Sequence, residues 1–135
     1  MIELSKEKPY EDACKILGLR PVANYKSYKL TDETRNFIKL ETVAKALNEG
    51  WKPTTIDPKE VRYYVWGWNY TDNRKPSGLL GVGSGDGLGH AYASVGTSLE
   101  FKDRDTAKEF ARMCKPMIVK YLFGRDDHEN FKFDF

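Results

Sequence analysis

The chain has 135 residues, with 22 Lys and Arg against 20 Asp and Glu and a net charge of +2. That balance announces no polyanionic partner, because non-specific nucleic-acid affinity grows with the number of phosphates neutralised. A hydrophobic content of 40% and a length suited to one core predict a single compact domain over residues 1–135 that needs no disulfide for stability.

The opening Met-Ile-Glu-Leu-Ser-Lys-Glu-Lys lacks the basic and apolar regions of a signal peptide. No apolar run approaches the roughly 20 residues that cross a bilayer. Together these predict a cytoplasmic protein with no membrane partner. Pro9 suits the first turn of a helix that continues through Leu17, with Gly18 as its stop. Glu11 and Asp12 favour its positive end, and Tyr10, Ala13, Cys14 and Leu17 recur at helical spacing as one apolar face. Residues 19–30 read as a linker.

Thr31 then caps a longer helix that carries Asp32 and Glu33 in its first turn. Phe37, Leu40, Val43, Ala44 and Leu47 form its buried stripe, while Arg35, Lys39, Thr42, Lys45 and Glu49 face solvent. Gly50 ends it. Pro53 and Pro58 bracket a turn-rich connection.

Val61-Arg62-Tyr63-Tyr64-Val65-Trp66-Gly67-Trp68-Asn69-Tyr70 is dense in aromatic and β-branched residues and predicts a strand. Alternation places Tyr63, Val65 and Gly67 on one face and Tyr64, Trp66 and Trp68 on the other, with the tryptophan face expected to be the buried one. Residues 71–77 read as a turn. Leu79-Leu80-Gly81-Val82 and His90-Ala91-Tyr92-Ala93-Ser94-Val95 predict two more strands, joined by a glycine-rich hairpin tip over residues 83–89. Residues 97–101 supply a fourth strand, with Leu99 and Phe101 on one side.

Asp103 caps a last helix from Arg104 to about Leu122, whose apolar stripe is Ala107, Phe110, Ala111, Cys114, Ile118 and Tyr121. Pro116 has no amide for the carbonyl of Arg112 and predicts a kink. The tail Phe131-Lys132-Phe133-Asp134-Phe135 alternates as an added edge strand or a loosely attached end. The expected fold is α+β: an antiparallel sheet of about four strands packed against N-terminal helices and a C-terminal helix.

Several chemistries lack their residues. Gly81-Val82-Gly83-Ser84-Gly85 is followed by no helix and no Gly-Lys-Ser/Thr, so it does not read as a phosphate loop and implies no cofactor. Asp86 lacks the alternating acidic ligands of a calcium loop, and the two histidines and two cysteines are too far apart for metal-ligand spacing. Cys14 and Cys114 fall on core faces, where a thiol is inert. Catalysis would require His90 or His128 to meet a cysteine or carboxylate. A non-enzymatic reading is therefore favoured.

The aromatic cluster Tyr63, Tyr64, Trp66, Trp68 and Tyr70 is flanked by Arg62, Arg74 and Lys75. Its plain reading is the core of a sheet covered by helices. An exposed face would suit a protein contact, because Trp, Tyr and Arg dominate binding hot spots. The alternative is a single-stranded nucleic acid, with bases stacked on the rings and phosphates held by the cations. The near-neutral charge favours an unidentified protein partner. The candidate binding residues are Arg62, Tyr64, Trp66, Trp68, Arg74 and Lys75, with Ser84 and Asp86 from the glycine-rich segment.

Four pieces of the chain carry a resemblance: Tyr10-Glu11-Asp12-Ala13-Cys14 with Leu17-Gly18; Leu40-Glu41 and Ala46-Leu47-Asn48-Glu49-Gly50-Trp51-Lys52-Pro53; Tyr63-Tyr64 with Trp66; and Gly96-Thr97-Ser98-Leu99-Glu100-Phe101-Lys102. Together they resemble a family of small uncharacterised proteins from bacteriophages and prophages of Bacteroides-like bacteria. The chain departs from that pattern at Thr54, at Val65 and in its glycine-rich segment. The resemblance implies a mobile-element origin and an accessory role, and brings no catalytic residues.

Overall fold

The computed structural model describes residues 2–26, 29–52, 60–68, 78–86 and 99–135. Within them the fold is α+β, with three α-helices and a three-stranded mixed sheet.

Helix α1, Pro9–Leu17, ends at Gly18 in the left-handed conformation (φ 68°), the stop its glycine predicts. Its buried face is Tyr10, Ala13 and Cys14. The Tyr10 hydroxyl accepts from the Ala23 amide at 3.1 Å, which ties α1 to the 3-10 turn Val22–Asn24.

Helix α2, Asp32–Leu47, is capped by Thr31, whose side chain accepts from the Thr34 amide at 3.1 Å. Leu40, Val43, Ala44, Ala46 and Leu47 are buried on it. Arg35 corrects the expected solvent face. Its guanidinium turns back over the preceding segment and donates to the carbonyls of Ala23 (2.9 Å), Tyr25 (3.0 Å) and Leu30 (3.3 Å). A five-donor planar head can cap several orphan carbonyls at once, which an amphipathic wheel does not register.

Helix α3, Arg104–Phe123, is capped by Asp103, which accepts from the Thr106 amide at 2.7 Å and from its hydroxyl at 2.6 Å. The kink expected from Pro116 is present two residues earlier, where Cys114 leaves helical geometry (φ −110°, ψ 18°). Beyond it Asn36 of α2 donates to the Met117 carbonyl at 2.8 Å, joining the two helices.

Strand β1, Val61–Trp68, pairs antiparallel with β2, Leu79–Asp86, in a register that sets Trp66 opposite Gly81, Tyr64 opposite Gly83 and Arg62 opposite Gly85. The glycines at 83 and 85 therefore belong to a strand and not to a hairpin tip. Glycine normally weakens a strand, but at Gly81 and Gly83 the rings of Trp66 and Tyr64 on the neighbouring strand occupy the space the missing β-carbon leaves.

Strand β3, Lys132–Phe133, lies parallel to β2, so the sheet runs β1-β2-β3 and is not wholly antiparallel. The reason is the connection: α3 carries the chain back along the sheet before β3 begins, and such a crossover delivers a parallel neighbour. Among the described residues the tail is thus an edge strand. Of the expected fourth strand over residues 97–101, the described residues 99–101 contribute one antiparallel bridge between Phe101 and Tyr63, closed by hydrogen bonds of 2.8 and 2.9 Å, and residues 97–98 lie outside the described residues. The strand expected over residues 90–95, the turn over 71–77 and the Pro53–Pro58 connection lie outside the described residues.

Candidate functional site

Which face of the sheet meets the helices is decided by Val65 and Gly67. Val65 is buried and lines a small apolar crevice with Leu40, Phe110, Ile118, Tyr121 and Leu122. A β-carbon on Gly67 would fall 2.7 Å from Cε2 of Phe123 and 3.0 Å from Cδ1 of Leu122, so α3 sits directly on that glycine. Leu80, opposite Gly67, is fully buried on the same side.

Alternation then sends Arg62, Tyr64, Trp66 and Trp68 to the opposite face. This reverses the expectation that the tryptophan face is the one against the helices. Indole rings would hold α3 away from the sheet, whereas Val65 and Gly67 allow close approach.

On this far face the rings lie across the glycines of β2. A β-carbon at Gly83 would come 2.9 Å from Cζ of Tyr64, and one at Gly81 would fall 2.8 Å from Nε1 of Trp66 and nearer still to its ring carbons. Tyr64, Trp66 and Trp68 are each half-buried, keeping part of their surface in water.

Arg62 is on the same face but is not an open cation. Its Nη1 lies 3.4 Å from Oε2 of Glu100, with the two side chains 5% and 4% exposed. Burial pushes the Glu100 carboxyl above its ordinary value, and the Arg62 guanidinium opposes that push. The Glu100 carbonyl accepts from Nδ2 of Asn48 at 2.9 Å, which anchors the end of α2 to this pair. Sequence reasoning missed Glu100, because nothing in the order of residues sets it beside Arg62.

Of the remaining candidates, Ser84 is exposed opposite Tyr63, on the other side of the sheet from Tyr64 and Trp66. Asp86 ends β2 opposite Val61. Arg74, Lys75 and His90 lie outside the described residues.

Both thiols are buried, and desolvation pushes that of Cys114 far above its ordinary value. His128 stands 3.7 Å from Glu129 on the surface. Among the described residues no group of three His, Cys, Asp or Glu could hold a metal, and no helix is long and apolar enough to cross a membrane.

A second surface was not anticipated. Arg104, Lys108, Arg112 and Lys115 of α3 each lie over an aromatic ring. Arg104 sits 5.2 Å from the Tyr63 centroid, Lys108 and Arg112 sit 5.6 and 5.1 Å from that of Phe135, and Lys115 sits 5.3 Å from that of Phe133. Arg104 also donates to the Val82 carbonyl at 3.1 Å, fixing the helix start against β2. The signal in the sequence was a cation repeat of four, four and three residues, which keeps all four within about 80° of arc.

No protein-family model, curated protein or solved structure matches the chain. The resemblance to phage proteins therefore rests on the quoted segments alone.

Proposed function

We propose that the protein is a binding module that contacts another protein through the aromatic face of β1. The observation that carries this reading is the placement of Tyr64 and Trp66, with their rings over Gly83 and Gly81 and only partly buried on the side of the sheet away from α3. Rings seated on a rigid strand present apolar area at little entropic cost, which is how aromatic hot spots work.

Single-stranded nucleic acid is less well supported on this face. That reading needs cations beside the rings, and Arg62 is already engaged by Glu100. An accessory role in a phage or prophage belongs to the same proposal and rests on the resemblance.

The test compares the wild-type chain with Trp66→Lys and with Lys45→Glu as baits for one lysate, after matching their thermal unfolding. A protein held by wild type and Lys45→Glu but lost by Trp66→Lys supports the reading. Equal capture by all three, or capture abolished by nuclease, overturns it.

A further inference from the structure

We infer that the outer side of α3, along the seam with the C-terminal strand, is a docking surface for the phosphate backbone of a single-stranded nucleic acid. It is a separate surface from the aromatic face of β1. Arg104, Lys108, Arg112 and Lys115 occupy about 16 Å of helix at a rise of 1.5 Å per residue, one cation for each turn.

Their charge is largely uncompensated. Among the described residues Arg112 pairs with Glu109 at 3.7 Å, while Arg104, Lys108 and Lys115 come within 4 Å of no carboxylate. Asp105 and Glu109 share the helix with these cations, and Asp134 stands between Phe133 and Phe135 in the tail. Like charges in a row repel one another, and an anion bound along that side of the helix relieves the repulsion.

The rings beneath them set the chemistry. Phe133 and Phe135 are stacked on one another at 5.0 Å, and Phe135 is 38% exposed. Aromatic faces restrain the long cationic side chains and leave ring edges and apolar surface beside them. A single strand uses both features, through phosphates on the cations and a base against the exposed phenyl ring. An acidic peptide would use only the first.

The decisive measurement is fluorescence anisotropy of a labelled oligothymidylate with the full chain across a salt series. Three or four phosphate contacts predict a slope of log affinity against log salt of about −2 to −3. The double variant Lys108→Glu/Lys115→Glu is compared with Lys15→Glu/Lys45→Glu, which changes net charge equally on exposed positions of α1 and α2. Affinity falling at least tenfold in the first and less than threefold in the second supports the assignment. It is overturned by no binding at low salt, by equal losses in the two variants, or by polyglutamate competing as well as unlabelled oligonucleotide of equal charge. Loss of binding in Trp66→Lys with full retention in Lys108→Glu/Lys115→Glu would move the site to β1 and overturn it as well.

Discussion

The indole of Trp66 occupies the space into which a β-carbon on Gly81 would project. The two residues are directly opposite in the antiparallel ladder, so the large residue of one strand and the absent side chain of the other form one packing unit. Tyr64 and Gly83 repeat the arrangement two residues along.

This relationship predicts non-additive mutations. Gly81→Ala should destabilise the wild-type chain by about 1–3 kcal/mol, the usual cost of overpacking. In a Trp66→Ala background the same substitution should cost close to nothing, because the obstructing ring is gone and alanine suits a strand better than glycine. A double-mutant cycle by urea unfolding measures the coupling, and strictly additive effects would refute the account.

The buried Arg62–Glu100 pair predicts an asymmetric response. Arg62→Met should cost about 3–5 kcal/mol near neutral pH, because it strands an ionised carboxylate at a site 4% exposed. The Glu100 carboxyl is raised in the folded state, so the folded chain holds its proton more tightly than the unfolded one. Stability from this group therefore falls as pH rises from the ordinary carboxyl value through the raised one. Glu100→Gln should flatten that part of the wild-type curve in pH-dependent urea unfolding. An unchanged slope would show that Glu100 titrates normally.

The helices were legible in the sequence because each is specified locally. Thr31 and Asp103 cap, Gly18 stops, and the apolar residues fall at helical spacing. The sheet was less legible, because its logic is pairwise. Gly83 and Gly85 read as a loop until they are matched with Tyr64 and Arg62, residues that also alternate with period two. That shared period was the available signal. Nothing comparable marks Glu100 as the partner of Arg62, or β3 as a parallel neighbour of β2. Both depend on where α3 and the bridge at Phe101 return the chain.

Asp103 offers a test of a local feature with a pH signature of the opposite sign. Hydrogen bonds from the hydroxyl and amide of Thr106 hold its carboxyl below the ordinary range, so its contribution is present at neutral pH and is lost as acid protonates it. Asp103→Ala should cost about 1–2 kcal/mol at neutral pH, the scale of a lost helix cap. The wild-type and variant stabilities should converge as pH falls below the ordinary aspartate value. A gap independent of pH would mean that the cap acts without its charge.

The C-terminal strand predicts a steep gradient of effects over a few residues. Phe131 is fully buried and stacks on Phe123 at 5.3 Å, and Phe123 in turn fills the slot above Gly67. The Asp134 amide donates to the Leu80 carbonyl at 2.7 Å, which holds the segment to β2. Phe131→Ala should therefore cost about 3–5 kcal/mol, since it opens a cavity that Phe123 cannot close without leaving Gly67. Phe135→Ala removes only a partly exposed ring held by two cations and should cost less than about 1 kcal/mol. Thermal unfolding of the two variants separates them. Equal and small losses would mean that the tail is an appendage and that β3 adds nothing to the core.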